Sequence, residues 1–353
     1  MNLEESRQAI DRLDKEIVRL LNERTRHVLK IGEVKLKSGG EIYAPHRERA
    51  ILDRLCALNE GPLTNESLQA IYREIMSSAL SLEKSLNIAY FGPEATFTHQ
   101  AAVRRFGASL NYVPLKTVPD VFAEVSQRRA DYGVVPVENS TEGVVTSTLD
   151  MFVDTELRVV AEIVMPIQHC LVGRGPQSGI KRLYSHPQAL AQCRSWVRNH
   201  LPEVEVIETS STTRAAELAA EDPATAAIAS ALAADRYQLQ LLHADLQDNS
   251  ANATRFLVLG RQIPQPTGND RTSLILSIAD KVGALHKCLE PFRENEINLT
   301  KIESRPSKRK AWAYYFFIDL DGHVQNEPVA RAIKALDDYC SMVKVLGSYP
   351  KAA

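Results

Sequence analysis

"NIAYFGPEATFTHQAA", residues 87–102, marks the point at which the chain changes its period. Asn87–Phe91 is a short β-rich run, Gly92-Pro93 breaks it, and a helical stretch follows. Strand, polar turn and helix together are the repeating unit of an α/β domain.

Downstream the alternation continues through YVPL (112–115), YGVVPV (132–137), LRVVAEIV (157–164), RLYS (182–185), VEVIE (204–208), AAIAS (226–230) and RFLVLG (255–260). This order predicts an α/β domain with largely parallel sheets. The Pro/Gly/Asn stretch IPQPTGND (263–270) reads as a linker. Beyond it come SLILSI, a helix carrying Leu285, Cys288, Leu289 and Phe292, NLTKIES, AWAYYFFIDL, a helix over 329–340, and VKVLGSY. That βαββαβ order predicts a ferredoxin-like fold.

Upstream, residues 3–86 are helical throughout. Ile10, Leu13, Ile17, Leu20, Val28, Ile31 and Val34 recur at helical spacing, which predicts one long helix to about Lys37, stopped by Ser38-Gly39-Gly40. A second helix follows Pro45 with Ile51, Leu55 and Leu58 on one face, and Gly61-Pro62 ends it. Thr64 or Asn65 caps a third, carrying Ile71, Ile75, Ala79, Leu82 and Leu86. The chain is therefore multidomain, with boundaries expected at 1–86, 87–262 and 271–350, as its 353 residues also require.

Bulk properties exclude several classes. A net charge of −2 gives no reason for nucleic acid or a membrane surface, and no apolar run is long enough to span a bilayer. The first residues lack an apolar signal core, so a cytoplasmic protein is expected. The five cysteines, Cys56, Cys170, Cys193, Cys288 and Cys340, are scattered without a CxxC pair and read as reduced packing residues. GRGPQSG (173–179) is not GxGxxG, and neither GxxxxGK[ST] nor GxSxG occurs. His169, Cys170, His186 and Cys193 read as packing rather than metal ligands, so no metal or cofactor is expected.

The helical segment carries cations where apolar residues belong. Arg24 falls seven residues after Ile17 and seven before Ile31, Lys35 projects from nearly the same side, and Arg47 lies four before Ile51 with Glu48 beside it. Arg7 lies about 25 Å from Arg24 along a straight helix. If both serve one small ligand, two chains must pair.

In the α/β segment, strands run repeatedly into polar turns and helices: GPEATFTHQAA, STEGVVTSTL, SHPQALAQC and SSTTRAAELAA. Such turns present hydroxyls and free amides at the carboxyl ends of strands, where anionic ligands bind in open α/β sheets. DNSANATRFLVLG (248–260) sets Thr254 and Arg255 at the mouth of a buried strand.

These motifs carry three resemblances. SRQAIDRLDKEIVRLLNERTRHVLKIGEVK, PHRERAILDRL and IYREIMSSALSLE resemble the all-helical chorismate mutase family over residues 3–86. The resemblance implies that Arg7 of a partner chain, Arg24, Lys35, Arg47, Glu48 and Glu83 bind chorismate. The rearrangement to prephenate needs no nucleophile; it needs the two carboxylates held and charge on the breaking ether oxygen stabilised. Lys35 and a protonated Glu83 suit the ether oxygen. Ala44 stands where some members carry Asp, and Glu83 where some carry Gln.

GPEATFTHQAA, VPVENSTEG, SHPQALAQC, SSTTRAA and NATRFLVLG resemble the prephenate dehydratase family over 87–262, with Ala95 replacing a common glycine. This implies a two-lobed, periplasmic-binding-protein-like fold. It makes Thr254 the proton donor or its relay, and Glu138, Asn139 and Gln188 its organisers. Thr96, Ser210, Ser211, Thr212 and Arg255 are expected to line or clamp prephenate. KVGALHKCLEPFRENEINLTKIESRPSK resembles the ACT domain of such enzymes. Gly283, Ala284 and Leu285, with Glu303, Ser304, Arg305 and Pro306, are then the phenylalanine site.

Together these imply a bifunctional enzyme of phenylalanine biosynthesis, with phenylalanine as inhibitor and a homodimer or higher oligomer as its assembly. The alternatives are an arogenate dehydratase, or a non-catalytic small-molecule sensor with a helical dimerisation domain.

Overall fold

The computed structural model describes residues 2–38, 43–278, 281–307 and 314–352. The chain divides into two units, residues 1–87 with 105–111, and residues 88–104 with 112–353.

The first unit is helical: α1 (Leu3–Ser38), α2 (Pro45–Ala57) and α3 (Asn65–Glu83). Glu4 and Glu5 open α1 and Lys35 and Lys37 close it, matching charge to the helix dipole. Gly39 and Gly40 lie outside the described residues. Pro45 starts α2, where its missing N–H costs nothing. The second helix ends at Ala57, short of the expected Gly61-Pro62, because Asn59 captures the following loop through Leu63 O and Asn65 Oδ1, both at 2.8 Å. Thr64 caps α3 by accepting from Ser67 N at 3.2 Å. α3 packs against both α1 and α2. Much of the apolar stripe of α1 stays uncovered: Ile10, Leu13, Ile17 and Ile31 are 52–62% exposed.

After the helices come β1 (Asn87–Phe91), α4 (Phe97–Phe106), whose last two residues belong to the first unit, β2 (Asn111–Leu115), α5 (Val118–Ser126), β3 (Tyr132–Asn139), β4 (Gly143–Val144), α6 (Thr146–Met151) and β5 (Arg158–Pro166), which mainly build the first lobe of the second unit. A second lobe follows as β6 (Cys170–Gly173), β7 (Arg182–Ser185), α7 (Pro187–Gln192), α8 (Arg194–His200), β8 (Glu205–Glu208), α9 (Thr212–Ala219), β9 (Thr225–Ala229), α10 (Ala231–Tyr237) and β10 (Gln240–His243). β11 (Ala253–Gly260) then returns to the first lobe.

The first-lobe sheet has the order β2-β1-β3-β11-β5, with β4 on β3; the second has β10-β6-β9-β7-β8. The expectation of largely parallel sheets is corrected. β1 and β3 run parallel, as do β7, β8 and β9, but β11 is antiparallel to both β3 and β5, and β6 to β9. The chain leaves the first lobe and comes back from the other side, so its return strand must run against its neighbours.

The C-terminal segment is β12 (Asp270–Ile278), α11 (Ala284–Glu294), β13 (Leu299–Pro306), β14 (Tyr314–Asp321), α12 (Glu327–Ala335) and β15 (Cys340–Pro350), in sheet order β13-β14-β12-β15. The βαββαβ order is as expected. Ala311, Trp312 and Ala313 of AWAYYFFIDL lie outside the described residues. α12 starts earlier than expected because Asn326 and Pro328 set its first turn, and it gives way to a 3-10 turn at Leu336–Asp338.

This sheet is not separate from the first lobe. Phe122, Phe152, Val159 and Leu257 share one buried core with Ile275, Phe317, Leu346 and Tyr349. Here β15 comes so close to β5 that a Cβ at Gly347 would run into the Val159 carbonyl. The 263–270 stretch is likewise pinned, with His323 Nε2 2.9 Å from Pro264 O and Thr267 N donating to Asp270 Oδ2 at 2.8 Å.

Candidate active sites

A cleft of about 1050 Å³ lies between the two lobes. The first lobe brings Thr96, Asn139 and Thr254 to its wall, and the second brings Gln188, Ser210, Ser211 and Thr212. Five widely separated motifs thus meet in one concavity.

Thr254 and Asn139 are opposite each other in the β11–β3 ladder. Asn139 Oδ1 accepts the backbone N–H groups of Thr141 and Glu142, each at 3.0 Å, which turns its Nδ2 toward β11. Nδ2 donates to Thr254 Oγ1 at 2.9 Å. The threonine oxygen therefore accepts from Asn139, and its own proton is left to point elsewhere.

The polar turns play unequal parts. Ser211 caps α9, accepting from Arg214 N at 3.0 Å, and Thr96 Oγ1 takes the His99 N–H at 3.4 Å before α4. Ser185 is instead buried and donates to Ile228 O at 2.7 Å, leaving His186 Nδ1 to cap α7 through Gln188 N at 3.3 Å. β4 intervenes after STEG, so α6 begins at Thr146 with no side-chain cap. Two of the four turns present a hydroxyl at a helix start.

Glu138 and Arg255 are corrected: neither lines the cleft. Side chains alternate along a strand, so the neighbours of Asn139 and Thr254 point to the other face. There Arg255 meets Glu162 at 2.8 Å, Asp319 at 2.6 Å and Tyr349 Oη at 2.9 Å. Glu138 takes Lys301 Nζ at 2.7 Å. Burial opposes the Arg255 charge, but Tyr349, Asp319 and Glu162 outweigh it and raise the guanidinium above its ordinary value.

The cleft has cations that the sequence reading missed. Lys116 lines it just after β2, and the usable signal was its place at the carboxyl end of a strand. Also missed were His169, Gln192 and Asn252, which bond to one another beneath Asn139. His169 is packed, 2% exposed and edge-on to Phe97, and its ring is also hydrogen-bonded to Gln192 at 2.9 Å. Cys170 and Cys193 do belong to apolar cores, and burial pushes the Cys193 thiol up to about 12.

In the helical unit, Arg24, Lys35, Glu48 and Glu83 are half-buried, while Arg7 and Arg47 are exposed on this chain. Arg24 Nη1 and Glu83 Oε2 are buried with no partner among the described residues. Burial raises the Glu83 carboxyl above its ordinary value, and the Lys35 charge opposes that shift. His46 is held low by burial and by Lys35 and Arg47. Glu48 Oε2 is 2.7 Å from Arg105 Nη2, a partner the sequence reading did not propose.

In the C-terminal segment Gly283, with φ +78°, precedes α11, and Glu303–Pro306 end β13. Glu303 and Arg305 turn to the more covered face and Ser304 and Pro306 to the open one, so the four do not share a side. Arg305 Nη2 meets Asp150 Oδ1 of α6 at 3.1 Å.

A helical unit with half-buried cations, a two-lobed cleft and a ferredoxin-like domain sharing the first lobe's core define a multidomain enzyme acting on anionic small molecules. Family models match chorismate mutase type II over residues 6–84, prephenate dehydratase over 88–264 and the ACT domain over 272–338. The bifunctional chorismate mutase/prephenate dehydratase of Aquifex aeolicus is 51% identical over 355 residues, covering 99% of this chain and 98% of the relative. That of Neisseria gonorrhoeae is 46% identical over 350 residues, covering 98% and 96%. A crystal structure of prephenate dehydratase in complex with L-Phe from Arthrobacter aurescens matches with a TM-score of 0.71 and 37% identity, over 76% of this chain and 90% of that one. The chain belongs to the bifunctional chorismate mutase/prephenate dehydratase family.

Proposed function

We propose that the chain rearranges chorismate to prephenate in its helical unit and converts prephenate to phenylpyruvate in its cleft, under feedback inhibition by phenylalanine. The observation that carries the second step is the Asn139 amide directed at Thr254 Oγ1. Thr254 is a poor acid alone, but its oxygen is already occupied as an acceptor, so its O–H is free to face the cleft. It donates that proton to the leaving ring hydroxyl, which departs as water. The bond to the ring carboxylate breaks, CO2 leaves, and the released electron pair completes the aromatic ring. Water returns the proton to Thr254. Lys116 and the amides at the start of α9 suit the carboxylate that stays.

For the first step, Arg24 and Arg47 with Arg7 of a second copy hold the two carboxylates, Glu48 completes the pocket, and Lys35 with protonated Glu83 donates to the ether oxygen. The exposed stripe of α1 supports a homodimer, because a second copy covers it and supplies the distant Arg7. Phenylalanine is assigned to the ACT segment around Gly283–Leu285 and Glu303–Pro306; its regulation of the cleft is supported by the shared core and by the L-Phe complex of the Arthrobacter aurescens relative. The scattered free thiols favour a cytoplasmic location.

The test feeds the purified protein chorismate, then prephenate, with and without phenylalanine, and follows phenylpyruvate. Both substrates are expected to yield it, and phenylalanine to slow the second conversion. Arogenate is run beside prephenate; faster turnover of arogenate would reassign the second step.

A further inference from the structure

Beneath Thr254 runs a line of buried polar side chains whose hydrogen bonds run from Asn139 to Gln192 Oε1, where His169 meets them from the far side. Asn139 Nδ2 donates to Asn252 Oδ1 at 3.0 Å as well as to Thr254 Oγ1 at 2.9 Å. Asn252 Nδ2 donates to Gln192 Oε1 at 2.9 Å. His169 Nε2 stands 2.9 Å from that same oxygen and so carries its proton there.

The direction is locked at both ends. At one end, the amides of Thr141 and Glu142 hold Asn139 Oδ1, so that side chain cannot flip. At the other, a flipped Gln192 would set its NH2 against Asn252 Nδ2, so Oε1 stays toward the line and His169 takes the tautomer that donates to it. The order of donors and acceptors between these anchors is therefore unique.

Asn139, Asn252, Gln192 and His169 are 2–8% exposed. Burying polar groups so deeply is costly unless each is bonded, and an apolar floor would stabilise the lobe as well. Yet Gln192 Nε2 and His169 Nδ1 are buried with no partner among the described residues. Both residues line the cleft that holds Thr254.

We propose that His169, Gln192 and Asn252 are positioning residues for the dehydration: their line of hydrogen bonds fixes the Asn139 amide, and through it aims the Thr254 hydroxyl proton into the cleft. The inference rests on Thr254 being the proton donor. It predicts a role in kcat rather than in prephenate binding, since none of the three need touch the leaving group.

The experiment uses the full chain and measures dehydratase kcat and KM, mutase turnover and melting temperature. His169→Met removes the Nε2 donor, His169→Gln keeps an amide donor at similar reach, and Asn252→Ala cuts the line. His169→Met and Asn252→Ala are expected to lower kcat about 10- to 100-fold with KM within about 3-fold, the scale of a misaimed catalytic group. Mutase turnover and melting stay as in the wild type, and His169→Gln recovers most of the loss. Wild-type kcat in both disrupting variants overturns the proposal. So does an H169Q enzyme as slow as H169M, or a rise in KM at constant kcat. If H169M or N252A does not fold, H169Q is compared with His169→Asn, whose shorter amide falls short of Gln192; equal rates overturn the proposal and a slower H169N supports it. Thr254→Ala separates the two levels. Its retained activity sinks the proton-donor reading itself, whereas a dead T254A beside fully active H169M and N252A sinks the positioning role alone.

Discussion

Thr254 and Arg255 are adjacent on β11 and serve opposite faces of its sheet. Thr254 turns into the cleft, where Asn139 Nδ2 reaches it at 2.9 Å, while Arg255 turns into the base of the ACT domain, where Asp319 takes it at 2.6 Å. The preceding strand repeats the pattern, with Asn139 in the cleft and Glu138 bound to Lys301 at 2.7 Å. The same two strands therefore form the wall of the cleft and the seat of the ACT sheet, and the residues of each pair have separable roles.

On the role proposed for Thr254, its replacement with Ala removes the proton donor and leaves the packing of β11 nearly untouched. Prephenate turnover is expected to fall about 100- to 10,000-fold, the usual worth of a general acid. Mutase turnover and melting temperature stay at wild-type values. Thr254→Ser keeps the hydroxyl and retains a measurable share of the rate. Phenylpyruvate formation, followed beside chorismate consumption in the same samples, decides the matter.

Arg255→Ala acts on stability instead. Its side chain is 13% exposed between Glu162 and Asp319, which are 2% and 10% exposed. Removing it leaves Asp319 without its cation, while Glu162 keeps Arg271 at 2.6 Å, at a cost of about 3 kcal/mol, the low end for breaking a buried ion pair. Denaturant titration of the second unit should show a loss of that size, with KM for prephenate little changed in whatever protein remains folded. Unaltered stability together with a tenfold higher KM would restore Arg255 to the role of substrate clamp.

The contrast explains what the sequence did and did not disclose. The three segments were legible because period is a local property: the heptad-like spacing of Ile10, Leu13 and Ile17 and the alternating runs after Asn87 each report one kind of element. Thr254 and Asn139 were legible as members of motifs. The facing of Glu138 and Arg255 was not, because a motif says which residues are adjacent in sequence and a strand then sends neighbours to opposite sides. His169, Gln192 and Asn252 were hidden for a different reason. They lie 23 to 83 positions apart and form one hydrogen-bonded line only after β11 returns between β3 and β5. The shared core was equally hidden, since the Pro/Gly-rich stretch before the ACT segment reads as a flexible link although its two ends are packed together.

Ala44 offers a stabilising change. It is the N-cap of α2, extended at φ −130° and ψ 91°, and it makes no side-chain cap bond. Arg47 N and Glu48 N already donate to the Ala44 carbonyl at 3.0 and 3.1 Å, so Ala44→Asp supplies an acceptor for the His46 amide or a second one for Arg47 N, and a favourable charge at the helix N-terminus. The gain expected is about 1 kcal/mol. Thermal unfolding of the helical unit should move upward in A44D and less in Ala44→Asn, which caps without the charge. A lower melting temperature in both would show that the surrounding packing has no room for the longer side chain.

The mutase step should carry a pH signature from Glu83. Burial holds its carboxyl protonated above the ordinary carboxylate range, with Lys35 pulling the other way. Only the protonated form can donate to the ether oxygen; the carboxylate would repel the negative charge that develops there. Activity is therefore full below the raised pKa and falls as pH climbs through it. His46 also titrates nearby, but burial and the charges of Lys35 and Arg47 hold it neutral to lower pH than usual, so its step lies on the acid side. Glu83→Gln keeps a donor at every pH. Its kcat/KM profile for chorismate should lose the alkaline fall while keeping any acid-side step from His46. Parallel profiles for wild type and E83Q would assign the fall to another group and remove Glu83 from the step.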